Sequence, residues 1–208
     1  MRLILALASV VLSAFVASAA ARDFPSSAGN LAVETVAGGL VHPWSLAFLP
    51  DGRMLVTERP GRMRIVTRGG QLSPALAGVP DVYAQSQAGL MDVILANDFA
   101  QSHVIYFCYA EHAAGGGGRI AVARAQLDGN ACAPRLVAVK TIFHQQGPAS
   151  RGLNIGCRMA QASDGNLFVT LGDHFSSARL AQALDNHIGK IVRITPEGKA
   201  PPDNPFVG

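Results

Sequence analysis

The sequence predicts an all-β protein built as a β-propeller, a ring of small antiparallel sheets, and three observations carry that prediction. Short β-rich segments are separated throughout by Gly, Pro, Asp and Asn turn signals. Strand–turn–strand units recur, with turn aspartates at Asp51, Asp98 and Asp164 about 45 to 65 residues apart, a blade-like repeat. Charged residues make up only 15% of the 208, while 22 Gly and 12 Pro describe a turn-rich body rather than a helical one. A β-sandwich has similar turn spacing, but the repeating order of the units favours blades.

Taken in order, the chain opens with Met1-Arg2, an almost wholly apolar run from Leu3 to Val16, and the small residues Ala17 to Ala21. That is the pattern of a signal peptide cleaved after Ala19 or Ala21. The run falls short of the ~20 residues that span a bilayer. No later segment approaches that length, so a membrane span is not expected after cleavage and a periplasmic or secreted location is. Residues 22–208 remain for one domain, long enough for a sizeable core.

The first unit has a candidate strand Leu31–Val36, a break at Gly38-Gly39, and a new start at His42-Pro43-Trp44. Ser45–Leu49 is apolar, Pro50-Asp51-Gly52 is a β-turn, and Met54–Thr57 and Met63–Thr67 are strands around a Pro60-Gly61 turn. In the second unit Gly89–Leu95 is apolar, residues 96–99 turn, and Val104–Tyr109 and Ile120–Gln126 are strands flanking a glycine tract. The third has an apolar segment Arg158–Ala162, a turn at Asp164-Gly165, a strand Leu167–Leu171, a loop from Asp173 to His187 and a strand Ile188–Thr195. The one helix this pattern admits is a short one over Ala178–Leu184.

A net charge of +3 with no Lys/Arg run excludes a nucleic-acid reading. Three cysteines, none in C-x-x-C spacing, cannot all pair within the chain, and zinc is not expected. Cys108 with Cys132, across a hairpin, is one pairing the spacing allows; a buried strand position for Cys108 is the alternative.

Several segments resemble the soluble glucose/sorbosone dehydrogenase family, the PQQ-dependent aldose sugar dehydrogenases of the bacterial periplasm. They are His42 to Gly52, Gln87-Ala88-Gly89-Leu90-Met91-Asp92-Val93, and Gly189-Lys190-Ile191-Val192-Arg193-Ile194 followed by Gly198 and Pro202-Asp203-Asn204-Pro205-Phe206. The resemblance implies a six-bladed propeller that oxidises the C1 hydroxyl of an aldose, a histidine taking the proton. It also implies PQQ as cofactor and calcium ions. On the family pattern this chain holds about three blades. The Arg-Asn-Pro segment that follows in the family, and the later cationic residues that hold the PQQ carboxylates, are not in it, so little or no activity is expected of the chain alone.

The family's H-x-G-G-R-[LI] segment corresponds to Asn154-Ile155-Gly156-Cys157-Arg158-Met159, anchored by Gly156 and Arg158. Asn154 thus stands where the resemblance places the catalytic histidine, and an amide has no usable basicity. By the same resemblance Gln87 contacts the sugar and Arg158 braces the turn; the plain readings are a solvent-facing turn residue and an ion-pair or carbonyl partner. His144 and His174 flank the segment and read as exposed loop histidines. The alternative to an enzyme is a non-catalytic binding propeller that pairs with another chain, closing its ring by self-association.

Overall fold

The computed structural model describes residues 22–129 and 133–206; the expected signal peptide and Cys132 lie outside them. The described residues divide into two compact units, one up to residue 36 and one from residue 37 on. In the first, β1 (Arg22–Ser26) and β2 (Gly29–Val33) form an antiparallel hairpin, its residues all exposed. The expected strand Leu31–Val36 is met only as far as Val33, within the return arm of a hairpin that begins earlier.

The second unit holds three antiparallel sheets in sequence order. The first is β3 (Pro43–Phe48), β4 (Met54–Glu58) and β5 (Arg62–Val66). The second is β6 (Leu90–Leu95), β7 (Val104–His112), β8 (Gly118–Asp128) and β9 (Arg135–His144). The third is β10 (Met159–Gln161), β11 (Leu167–Thr170) and β12 (Ile191–Ile194). The segment expected to be a plain turn after β6 carries a one-turn helix, α1 (Phe99–Ser102), which buries Phe99. The expected helix over Ala178–Leu184 is a short 3-10 helix, Ala178–Gln182.

Strand β7 shows why the sheets stack. Alternate side chains of a strand point to opposite faces, and here both faces are buried. Ile105, Phe107 and Tyr109 enter a core with Leu49, Leu55, Met63 and Ile65 of the first sheet. Tyr106, Cys108 and Ala110 enter a core with Met159, Leu167, Val169 and Ile194 of the third. Continuous apolar text in a short segment is what a strand buried on both faces requires. In the outer sheets one face only is covered: Leu46 and Phe48 of β3, and Phe168 and Ile191 of the third sheet, are exposed.

Polar groups stitch the first strands of the sheets together. Asp92, buried in an irregular part of β6, accepts hydrogen bonds from Ser45 Oγ at 2.7 Å, Arg158 Nη1 at 3.0 Å and Met159 N at 2.7 Å. One carboxylate thus ties all three sheets. Thr57, also buried, donates to the Met91 carbonyl at 2.6 Å and accepts from Ser45 N at 3.0 Å.

A disulfide joins Cys108 to Cys157, 49 residues apart in the chain. This corrects the Cys108–Cys132 pairing. Cys108 sits on the β7 face turned to the third sheet, so its partner comes from across the stack rather than across a hairpin. The alternative reading of Cys108 as a buried strand residue holds as well, since it is fully enclosed.

Candidate active site

The turn from Ser150 to Arg158 leads into β10 and is fixed by its own polar atoms. Ser150 Oγ accepts from the backbone N–H of Gly152 and of Leu153, at 3.0 and 3.1 Å. Gln87 then brackets the turn from the β6 side: its backbone N–H donates to Gly152 O at 2.9 Å and its Oε1 accepts from Asn154 N at 2.8 Å. On the other side Gly172 N donates to Ile155 O at 3.0 Å and His174 N to Asn154 O at 3.1 Å. A Cβ on Gly172 would run into the Asn154 carbonyl, so glycine there is what allows the two segments to meet.

Two residues of the turn have unusual backbones. Asn154 lies in the left-handed region at φ 43°, which Asn and His adopt more readily than most side chains do. Cys157 has φ 150°, a conformation that favours glycine and costs another residue ~1–3 kcal/mol. The resemblance places a glycine at this position. The link to Cys108 closes a 49-residue separation, worth ~4 kcal/mol on the loop-entropy account, which outweighs that strain.

Asn154 Nδ2 donates to Asp173 Oδ1 at 3.3 Å. The same oxygen accepts from Phe175 N at 2.8 Å, closing a turn after the third sheet's β11. That backbone N–H and the Asn154 amide hold the Asp173 carboxyl below the usual carboxylate range. Asp173 and Asn154 border a cavity of about 450 Å3 with Trp44, Gln87, Met91, Ile155, Gly156 and Gly172. Its wall combines an indole, two carboxamides and one carboxylate over an apolar floor. That chemistry suits a neutral polyhydroxylated ligand: hydroxyls find both donors and acceptors, and the ring's C–H face finds an aromatic surface.

The structure brings Gln87 and Asn154 to this one cavity. Arg158 is not in its wall. Its guanidinium reaches Asp92, so it braces the turn through an ion pair, the plain reading of that residue. Trp44, Asp92 and Asp173 were not singled out from sequence. Asp173 directly follows Gly172 where strand β11 gives way to loop, the kind of position that presents side chains to a site, and that signal was available.

The two flanking histidines differ. His144 is exposed and meets Glu111 Oε1 at 2.7 Å, but it ends strand β9 rather than lying in a loop. His174 is a correction: it is buried, its ring between Pro148 O at 3.0 Å and Gln145 Oε1 at 3.2 Å. Its own left-handed backbone, φ 57°, accompanies this inward placement. Burial lowers its pKa, against the opposing pull of the Pro148 carbonyl and the Asp173 charge.

A larger cavity, about 860 Å3, runs along β9 and β12 between Phe143, Phe168, His187, Lys190 and Arg193. It follows the outer edge of the third sheet, which has three strands where the second has four, and none of the predicted site residues borders it.

PQQ, the cofactor implied by the resemblance, is a tricarboxylate and calls for cationic partners. No Lys or Arg lines the 450 Å3 cavity, and the single charge in its wall is the Asp173 carboxylate. These residues fit a sugar and do not by themselves fit PQQ. No group of three or more His, Cys, Asp or Glu side chains gathers among the described residues to hold a calcium ion.

Comparison with known proteins agrees with the motifs. The family model described as Glucose / Sorbosone dehydrogenase matches residues 40–208. The chain is 42% identical over 176 residues to aldose sugar dehydrogenase YliI of Escherichia coli (strain K12), covering 84% of this chain and 47% of that protein. Among solved structures, a glucose dehydrogenase is 45% identical with a TM-score of 0.79, covering 84% of this chain and 50% of that one. The PQQ-bound aldose sugar dehydrogenase of Streptomyces coelicolor is 30% identical with a TM-score of 0.73, over the same shares. This chain spans about half the length of the relatives it matches. The stacked sheets are thus about three blades of a β-propeller, and the chain belongs to the glucose/sorbosone dehydrogenase family.

Proposed function

We propose that the cavity at Asn154 is the aldose-binding face of a sugar dehydrogenase-type site, and that this chain on its own binds an aldose without oxidising it at a useful rate. The convergence of Trp44, Gln87, Asn154 and Asp173 on one apolar-floored cavity carries the reading. Catalysis fails on two counts. Asn154 cannot accept a proton where the resemblance places a histidine, a loss of about 10² to 10⁴ in rate. The cavity also lacks the cations that PQQ, and with it the oxidising chemistry, calls for. Calcium, expected from the same resemblance, belongs with that cofactor.

Export to the periplasm or the outside is part of the proposal. The Cys108–Cys157 disulfide supports it, since such bonds persist in oxidising compartments. So is self-association: the outward apolar faces of the first and third sheets suit cover by neighbouring blades, which a second copy of this chain can supply in a closed ring.

Titration calorimetry with an aldose, joined to a dye-linked assay with PQQ and calcium, tests the main reading. Binding without turnover is expected. No binding overturns the sugar reading, and turnover by the unmodified protein overturns the loss of catalysis.

A further inference from the structure

We propose that Asp173 receives the C1 hydroxyl of the aldose, serving here as the charged acceptor that the neutral Asn154 amide is not. The proposal rests on the sugar-site reading and names the residue that selects which hydroxyl is held. Asp173 is the one ionisable side chain among the eight residues that line the cavity. Each neighbouring carboxamide is neutral and has one end engaged. Gln87 Oε1 is engaged by Asn154 N, and Asn154 Nδ2 is turned to Asp173 Oδ1. The hydrogen bonds from Asn154 Nδ2 and Phe175 N both fall on Oδ1 of the carboxylate. Oδ2 serves neither.

A carboxylate at neutral pH only accepts, and a hydrogen bond to a charged acceptor is roughly twice as strong as a neutral one. It therefore ranks a sugar's hydroxyls by acidity. The C1 hydroxyl of an aldose is the most acidic, because the ring oxygen on the same carbon withdraws electrons. His174, next in the chain, does not compete for the carboxylate, since its ring is turned to Pro148 and Gln145 in the core.

The test compares D-glucose with 1,5-anhydroglucitol, which lacks only the C1 hydroxyl, by titration calorimetry on the whole chain and on Asp173→Asn. The unmodified protein should prefer glucose by ~10-fold or more, the range of a hydrogen bond to a charged group. Asp173→Asn keeps an oxygen for the Phe175 N–H and should bind the two sugars within about threefold of each other. Trp44→Ala should weaken both sugars and keep their ratio. Binding without preference in the unmodified protein, or a preference that survives Asp173→Asn, overturns the proposal while leaving the sugar site intact. A ratio that collapses equally in Trp44→Ala also overturns it. No binding of either sugar removes the site reading itself.

Discussion

Position 154 separates what a backbone requires from what chemistry requires. The left-handed φ of Asn154 suits Asn and His alike, so the backbone of the turn would hold either residue. His174 shows the opposite case, a histidine whose importance is to stability. Its pKa is lowered by burial, and that of His187 is lowered by burial and by the Lys190 charge. An unfolded histidine takes up a proton as the pH falls through ~6.5; these two, when folded, do so only at lower pH. Their contribution is whole above ~6.5 and is lost as the pH falls below it toward the folded pKa. Denaturant melts at pH 7.5 and 5.5 should show a loss of stability on acidification. His174→Gln should remove its share of that slope. An unchanged slope in the variant would mean His174 is not the group responsible.

At the scale of elements, the stacked sheets were readable where burial is two-sided or where a turn is sharp. The apolar run of β7 and the aspartate turns gave the strands within a few residues. Asp51 and Asp164 each accept the backbone N–H two residues on, Arg53 at 3.0 Å and Asn166 at 2.9 Å, as turn aspartates do. Strand β9 escaped the sequence reading although Leu136–Val139 is apolar; Arg135 and Lys140 bracket that run and, with Val139, lie partly or fully in solvent. The Cys108–Cys157 link and the Asp92 junction escaped for another reason: both join residues of different sheets, and pairing across sheets leaves no local signal. Asp92 and Arg158 then make a contrast. Asp92 is enclosed and holds three donors, so Asp92→Ala should cost about 3 kcal/mol in equilibrium unfolding. Arg158 is 72% exposed in its side chain, so Arg158→Ala should cost under ~1 kcal/mol. Equal losses would show that the ion pair, rather than the buried acceptor, holds the sheets together.

At the scale of the whole molecule, the first and third sheets each leave an apolar face bare. Phe48 and Ile191 are each 69% exposed, on the outer faces of the first and third sheets respectively. Such apolar surface favours association, and two outward faces of similar character allow a two-fold pairing that closes. On the proposed pairing, sedimentation of this chain should show a dimer, and Phe48→Lys with Ile191→Lys should shift it to monomer. A strict monomer for the unmodified chain would rule the pairing out. The blades were legible from repeat spacing and motif, whereas which surfaces stay uncovered depends on how the sheets stack, which spacing alone does not give.

The disulfide has a last consequence for motion. Proteins open locally in cooperative segments, and surface turns ordinarily open with little free energy. The turn that carries Asn154 is exposed in part, yet Cys157 fastens it to the fully enclosed centre of β7. It cannot fray by itself: Cys157 leaves its place only if the second sheet gives way as well. This exposed wall of the site therefore takes its rigidity from an enclosed strand, and a sugar would meet a rim already fixed before it arrives.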